Sequence, residues 1–144
     1  MTIQAIVDAI AAENQRPGFK LNAPACADDI ARFEATVGFA LPDEFREFYA
    51  ICNGFECVED LFTLIPLDTI LANGDHGKHW FHFAEYMIYC DMWTLRNRNG
   101  LCEIINKSDR EIVLSTSLRT FLIRFLAGNV FEAGGLYDWH EVSK

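Results

Sequence analysis

The chain has 144 residues, 51% of them apolar, and a formal net charge of −9. That length suits one domain with a single core, and the apolar share excludes a disordered chain. The acidic balance argues against nucleic acid or anionic membrane as a partner, because phosphates are held by Lys and Arg; it suits a basic protein partner or plain solubility.

Thr2 caps a first helix, with Ile3, Ile6, Val7 and Ile10 on its inner face. Pro17-Gly18 ends it, and Phe19 and Leu21 anchor an extended link. Pro24 opens a second helix with Asp28 and Asp29 early in it. Ile30, Phe33 and Val37 line its apolar side, and Gly38 closes it. A third helix follows almost at once. Pro42 suits its first position, and Asp43 and Glu44 favour the positive end of its dipole. Phe45, Phe48, Tyr49 and Cys52 form one stripe, and Asn53-Gly54 supplies a pair able to take positive φ. Residues 54–60 then read as a loop.

Residues 61–65 read as a short strand stopped by Pro66. Residues 68–73 form one helical turn, and residues 74–77 a loop. Residues 80–83 and 87–90 read as two strands. Asn99-Gly100 is the strongest hairpin signal, joining residues 92–98 to residues 101–106. A two-residue turn there sets Leu95 opposite Ile104 and Arg96 opposite Glu103. Residues 107–109 turn the chain again, and Ile112 and Leu114 face inward on a last strand. Ser117 caps a final helix whose stripe is Leu118, Phe121, Leu122, Phe125 and Leu126, ending at Gly128. Three helices, a run of strands and one helix argue for an α+β fold. Its helices pack on one face of a mostly antiparallel sheet of about five or six strands. The expected organisation is a single domain over 1–144, with an N-terminal helix and link at 1–23 and a tail at 129–144. In the tail, Phe131, Leu136, Tyr137 and Trp139 either dock on the core or make a dimer contact, so the chain is a monomer or a weak homodimer.

His76, His79 and His82 follow an H-x₂-H-x₂-H spacing beside Asp75, and imidazoles suit zinc or copper. Strand residues three apart point to opposite faces, however, so the favoured reading is surface or partly buried histidines and no metal site. Cys52 and Cys57 are not a C-x-x-C pair. Cys90 and His82 can neighbour each other across two strands, but no nucleophile turn or oxyanion loop accompanies them. The five scattered cysteines read as free buried thiols. No P-loop, dinucleotide fingerprint or H-E-x-x-H is present. The expectation is therefore no enzyme, no catalytic residue and no cofactor. Glu56, Glu59 and Asp60 follow the third helix, and Glu85, Asp91 and Trp93 lie on neighbouring strands and turns. Acids around an aromatic can grip Lys and Arg of a partner. The alternative places Trp93 in the core, with the acids as a solvated rim.

The stretch from Phe39 to Gly54, an apolar-Leu-Pro-acidic-aromatic helix ending in Asn-Gly, resembles the SUKH superfamily. Ile30-Ala-Arg-Phe-Glu34 followed by Gly38, then Pro66-Leu67, then Ser117-Leu-Arg-Thr-Phe-Leu122 are similar to its other blocks. The resemblance runs from about Ile30 to about Gly128. It implies the same α+β architecture and a bacterial immunity protein that neutralises a cognate toxin, such as a nuclease, by binding it. The alternatives are an intracellular regulatory or scaffold domain without a toxin, and a small metal-dependent hydrolase using His76, His79 and His82. With no secretion signal or membrane-length apolar run read in the sequence, the expected location is cytoplasmic.

Overall fold

Alternating inward and outward residues in the middle of the chain build an antiparallel sheet, and the computed structural model describes residues 1–108 and 110–143. The strands are β1 (Phe19–Leu21), β2 (Phe55–Cys57), β3 (Phe62–Leu64), β4 (His76–Gly77), β5 (Trp80–Tyr86), β6 (Asp91–Arg98), β7 (Leu101–Asn106) and β8 (Ile112–Ser115). They run in the order β1-β2-β3-β5-β6-β7-β8, with β4 also paired to β5. Among the described residues there are thus eight strands, not five or six. The additions are β1, β2 and β4, of two or three residues each, too short to show an alternation. The helices are α1 (Ile3–Glu13), α2 (Ala27–Val37), α3 (Asp43–Ile51), α4 (Leu67–Asn73), α5 (Leu118–Gly128) and α6 (Leu136–Ser143). Every helix sends side chains into one core, which also takes Phe62, Phe81, Phe83, Trp93, Leu95 and Ile104 from the sheet. The helices therefore cover one sheet face, as the element order requires.

Local chemistry sets the boundaries. The Thr2 hydroxyl accepts from the Ala5 N–H at 3.1 Å, and the Ser117 hydroxyl from the Thr120 N–H at 3.3 Å, so both read caps are made. Pro24 does not open α2; Cys26 sits at its N-cap, and Gly38 closes it at φ +88°. Pro42 is the N-cap of α3, one residue before the helix. That helix ends on an extended Cys52. Gly54, at φ +81°, serves a close approach instead: a Cβ there would overlap the Leu64 carbonyl oxygen. Asn53 ties this corner together, donating to Asp68 at 3.0 Å and accepting from the Leu67 N–H at 2.9 Å.

Two other sequence expectations fail. Residues 54–60 are not a loop but β2 followed by a 3₁₀ turn, Val58–Asp60. Residues 87–90 are not a strand. Met87, Ile88 and Tyr89 take φ of +58°, +55° and +64°, a left-handed turn between β5 and β6. The Asn99-Gly100 hairpin has the expected register, Leu95 against Ile104 and Arg96 against Glu103. The turn read at residues 107–109 includes Asp109, which lies outside the described residues. In the tail, α6 docks on the core through buried Leu136 and Trp139, while Phe131 is exposed.

The five cysteines are free, but Cys26 and Cys90 are exposed, not buried. Burial pushes the Cys52 and Cys57 thiols up to about 12 from 9.0. It also raises the phenols of Tyr49 and Tyr137, the latter helped by a hydrogen bond to Asp91. These groups stay neutral in the folded chain and ionise in the unfolded one. Their contribution is complete below the unfolded values and is lost as pH rises above them. Urea midpoints under reductant are expected to fall steadily from about pH 9 upward. A Cys52→Ala/Cys57→Ala chain should show a shallower fall between about pH 9 and 10. Equal slopes for the two chains would refute thiol linkage.

Candidate partner-binding surface

The sheet face turned away from the helices is organised by register. Lys20, Glu56, Thr63, Glu85 and Met92 stand side by side across five strands. His82, Thr94, Ile105 and Val113 form a second row, and Trp80, Arg96 and Glu103 a third. On the third row Arg96 pairs with Glu111 at 2.8 Å and Glu103 at 3.3 Å, and Arg98 also reaches Glu103 at 3.0 Å. The hairpin end carries a wide cleft of about 600 Å³ lined by Lys78, Trp80, Arg96 and Arg98. Arg96 and Arg98 are ion-paired there and Lys78 is exposed, while Glu56, Glu59 and Asp60 lie at the β1–β3 end.

The six acids and aromatics read as partner-binding do not form one patch. Glu56 is exposed on the outer face. Glu59 is half-exposed and pairs with Arg16 at 3.1 Å. Asp60 also pairs with Arg16, at 2.9 Å, and accepts from Asn129 at 2.7 Å. Asn129 in turn donates to Asn14, so Asp60 ties the ends of α1 and α5 to the 3₁₀ turn. Glu85 is 7% exposed, and its carboxylate accepts the Tyr89 N–H at 2.8 Å.

Asp91 and Trp93 are not on the surface. Trp93 is fully buried, and Asp91 is 8% exposed. They belong to β6 positions that face α6. The Tyr137 hydroxyl donates to Asp91, and Asn106 donates to it at 2.9 Å. The Trp93 indole N–H donates to His140 Nε2 at 2.9 Å. These bonds strap α6 to the sheet, which is why an acid beside an aromatic here is architecture.

Sequence reasoning missed the apolar part of the surface. Val58 and Leu61 leave the 3₁₀ turn outward, 57% and 46% exposed. Met87 and Ile88 stand beside them, 48% and 80% exposed. The Met87 N–H donates to the Leu61 carbonyl at 2.8 Å, joining the two turns. Glu56, Val58, Leu61, Thr63, Glu85 and Ile88 line one shallow cleft. An exposed apolar step between acids is suited to a partner with both an apolar and a cationic element.

The histidines do not converge. His76 lies on β4, His79 precedes β5 at φ +68°, and His82 is on the outer face with Nδ1 2.6 Å from Thr94 Oγ1. Burial holds the His82 imidazole below its ordinary pKa, with Lys107 adding to this and Asp75 opposing it. Cys90 and His82 line one shallow cleft. Among the described residues no three His, Cys, Asp or Glu side chains are grouped to hold a metal ion. No described helix is long and apolar enough to cross a membrane. Residues 24–124 match the SMI1 / KNR4 family (SUKH-1). No curated protein matches the chain.

Proposed function

Since the chain belongs to the SMI1 / KNR4 family (SUKH-1), we propose that it is a non-enzymatic binding domain, a cytoplasmic immunity protein that neutralises a basic toxin. The observation that carries this reading is the sheet face left open by the helices, with Glu56 exposed in its first row and Glu59 just beyond β2. A net charge of −9 attracts a cationic surface at a distance, and these carboxylates then meet Lys and Arg as water leaves. A nuclease is one kind of toxin that fits, because a phosphate-binding surface is basic.

The test is binding to the protein encoded beside this chain's gene, followed by stopped flow at low and high salt. Association is expected to slow steeply with salt, since charges are screened over about 8–10 Å at physiological ionic strength. Glu56→Lys/Glu59→Lys should slow low-salt association by at least about tenfold. Its stability should change by only about 1 kcal/mol, because Glu56 is exposed and the Glu59–Arg16 pair is half-exposed, with Arg16 still held by Asp60. Asp60 is left intact, being bonded to Arg16 and Asn129. Salt-independent association, unchanged in the variant, would refute the acidic interface. Absence of any basic partner would favour a regulatory scaffold instead.

A further inference from the structure

We propose that the left-handed turn at residues 87–89 is the anchor of the partner interface, with Ile88 inserted into an apolar hollow whose rim carries Lys and Arg. This rests on the partner-binding reading above and names the contact that holds the complex once formed.

The argument starts from a mismatch between residue and backbone. Three successive non-glycine residues occupy the left-handed region, with φ of +58°, +55° and +64°. A β-branched residue is the poorest occupant of that region, because its Cβ crowds the following carbonyl. Ile88 sits at the centre of the turn and is 80% exposed, so it gains almost nothing from the core. Glycine would satisfy the same backbone at lower conformational strain. The surroundings hold the turn in place. The Met87 N–H donates to the Leu61 carbonyl at 2.8 Å, the Tyr89 N–H to Glu85 at 2.8 Å, and the Cys90 N–H to the Tyr86 carbonyl at 3.1 Å. Asn73 also donates to the Tyr89 hydroxyl at 3.2 Å. Strain kept in place by several bonds, and carrying an apolar side chain into water, points to a benefit outside the fold.

The neighbours define the partner's chemistry. Val58, Leu61 and Met87 extend the apolar step, Glu56 and Glu85 line the cleft beside it, and Glu56 is the exposed acid of the two. Charge complementarity therefore calls for cations around a hollow, not for another acidic surface such as a second copy of this chain. The anchor is already shaped before contact, so little ordering is lost on binding. The division of labour is kinetic. Acids act through space on association, and the buried contact acts on dissociation.

Ile88→Gly separates these roles. Its melting temperature is expected to equal or exceed that of the parent chain, because the strained residue is gone. Its complex with the adjacent-gene protein should dissociate at least about thirtyfold faster. Its association rate should stay within about twofold, since no charge changes. An unchanged dissociation rate would overturn the anchor while leaving salt-dependent association, and hence the binding reading, in place. Failure of the unmodified chain to bind would overturn both. Self-association in sedimentation that Ile88→Gly abolishes would make a second copy the occupant and overturn the cationic partner.

Discussion

Replacing Phe62 by alanine is expected to lower the unfolding free energy by about 3–5 kcal/mol. Phe62 is 1% exposed on β3, and its ring meets Phe125 at 4.7 Å, Trp93 at 5.8 Å and Phe55 at 6.1 Å. It joins the sheet to α5 from the middle of the core. Truncation loses the transfer free energy of the ring and leaves a cavity that three stiff aromatic neighbours cannot fill. A domain of this size holds only about 5–15 kcal/mol in all, so the melting temperature should drop by about 10 °C or more. Ile123→Ala on α5 is the control. Ile123 is 41% exposed, and its replacement should change stability by less than about 0.5 kcal/mol. Chemical denaturation of both variants decides it. A loss below about 1 kcal/mol for Phe62→Ala would mean that β3 does not sit against α5.

The second large effect concerns Asp91. Its carboxylate accepts from the Tyr137 hydroxyl, from Asn106 at 2.9 Å and from the Met92 N–H at 2.9 Å. Asp91→Ala leaves these donors without that acceptor in a place largely closed to water. The expected cost is about 2–4 kcal/mol. It should appear first as loosening of α6, whose remaining strap is the Trp93–His140 bond and whose Tyr137 keeps ring contacts with Phe131 at 5.1 Å, Trp93 at 5.9 Å and Tyr86 at 6.0 Å beside its backbone bonds. Hydrogen exchange of the α6 amides would rise well before that of α5. If the variant is as stable as the parent but binds its partner more weakly, Asp91 is an interface residue after all.

Helices α1, α2, α3 and α5 and the hairpin were legible because their signals are local, whereas α6 in the tail was not read as a helix. Thr2 and Ser117 mark helix starts, stripes at i, i+3 and i+4 mark faces, and Asn99-Gly100 fixes a register that Leu95 and Ile104 then obey. Strands as short as β2 and β4 were not legible, since two or three residues carry no period. The apolar run Met87-Ile-Tyr-Cys90 looked like a strand because side chains announce burial, whereas positive φ has no mark without Gly or Asn. Glu56 and Glu59 were legible as surface acids. Asp91 and Trp93 were not separable from them, because the residues that bury them, Tyr137 and His140, lie more than forty positions away in the chain.

The two end strands of the sheet order restrict how anything can attach to them. On one side β1 offers only Phe19–Leu21, with Pro17 just before and Pro24 just after, and Lys20 in the middle. On the other, β8 is four residues long and slips register against β7 between Ile104 and Ile105. Proline cannot donate to a ladder, and a lysine or a register break spoils an incoming strand. Neither border is a template for backbone zippering. These two edges should therefore resist fibril formation at high concentration, and a partner peptide meeting them would have to be recognised by its side chains instead of being annexed as another strand.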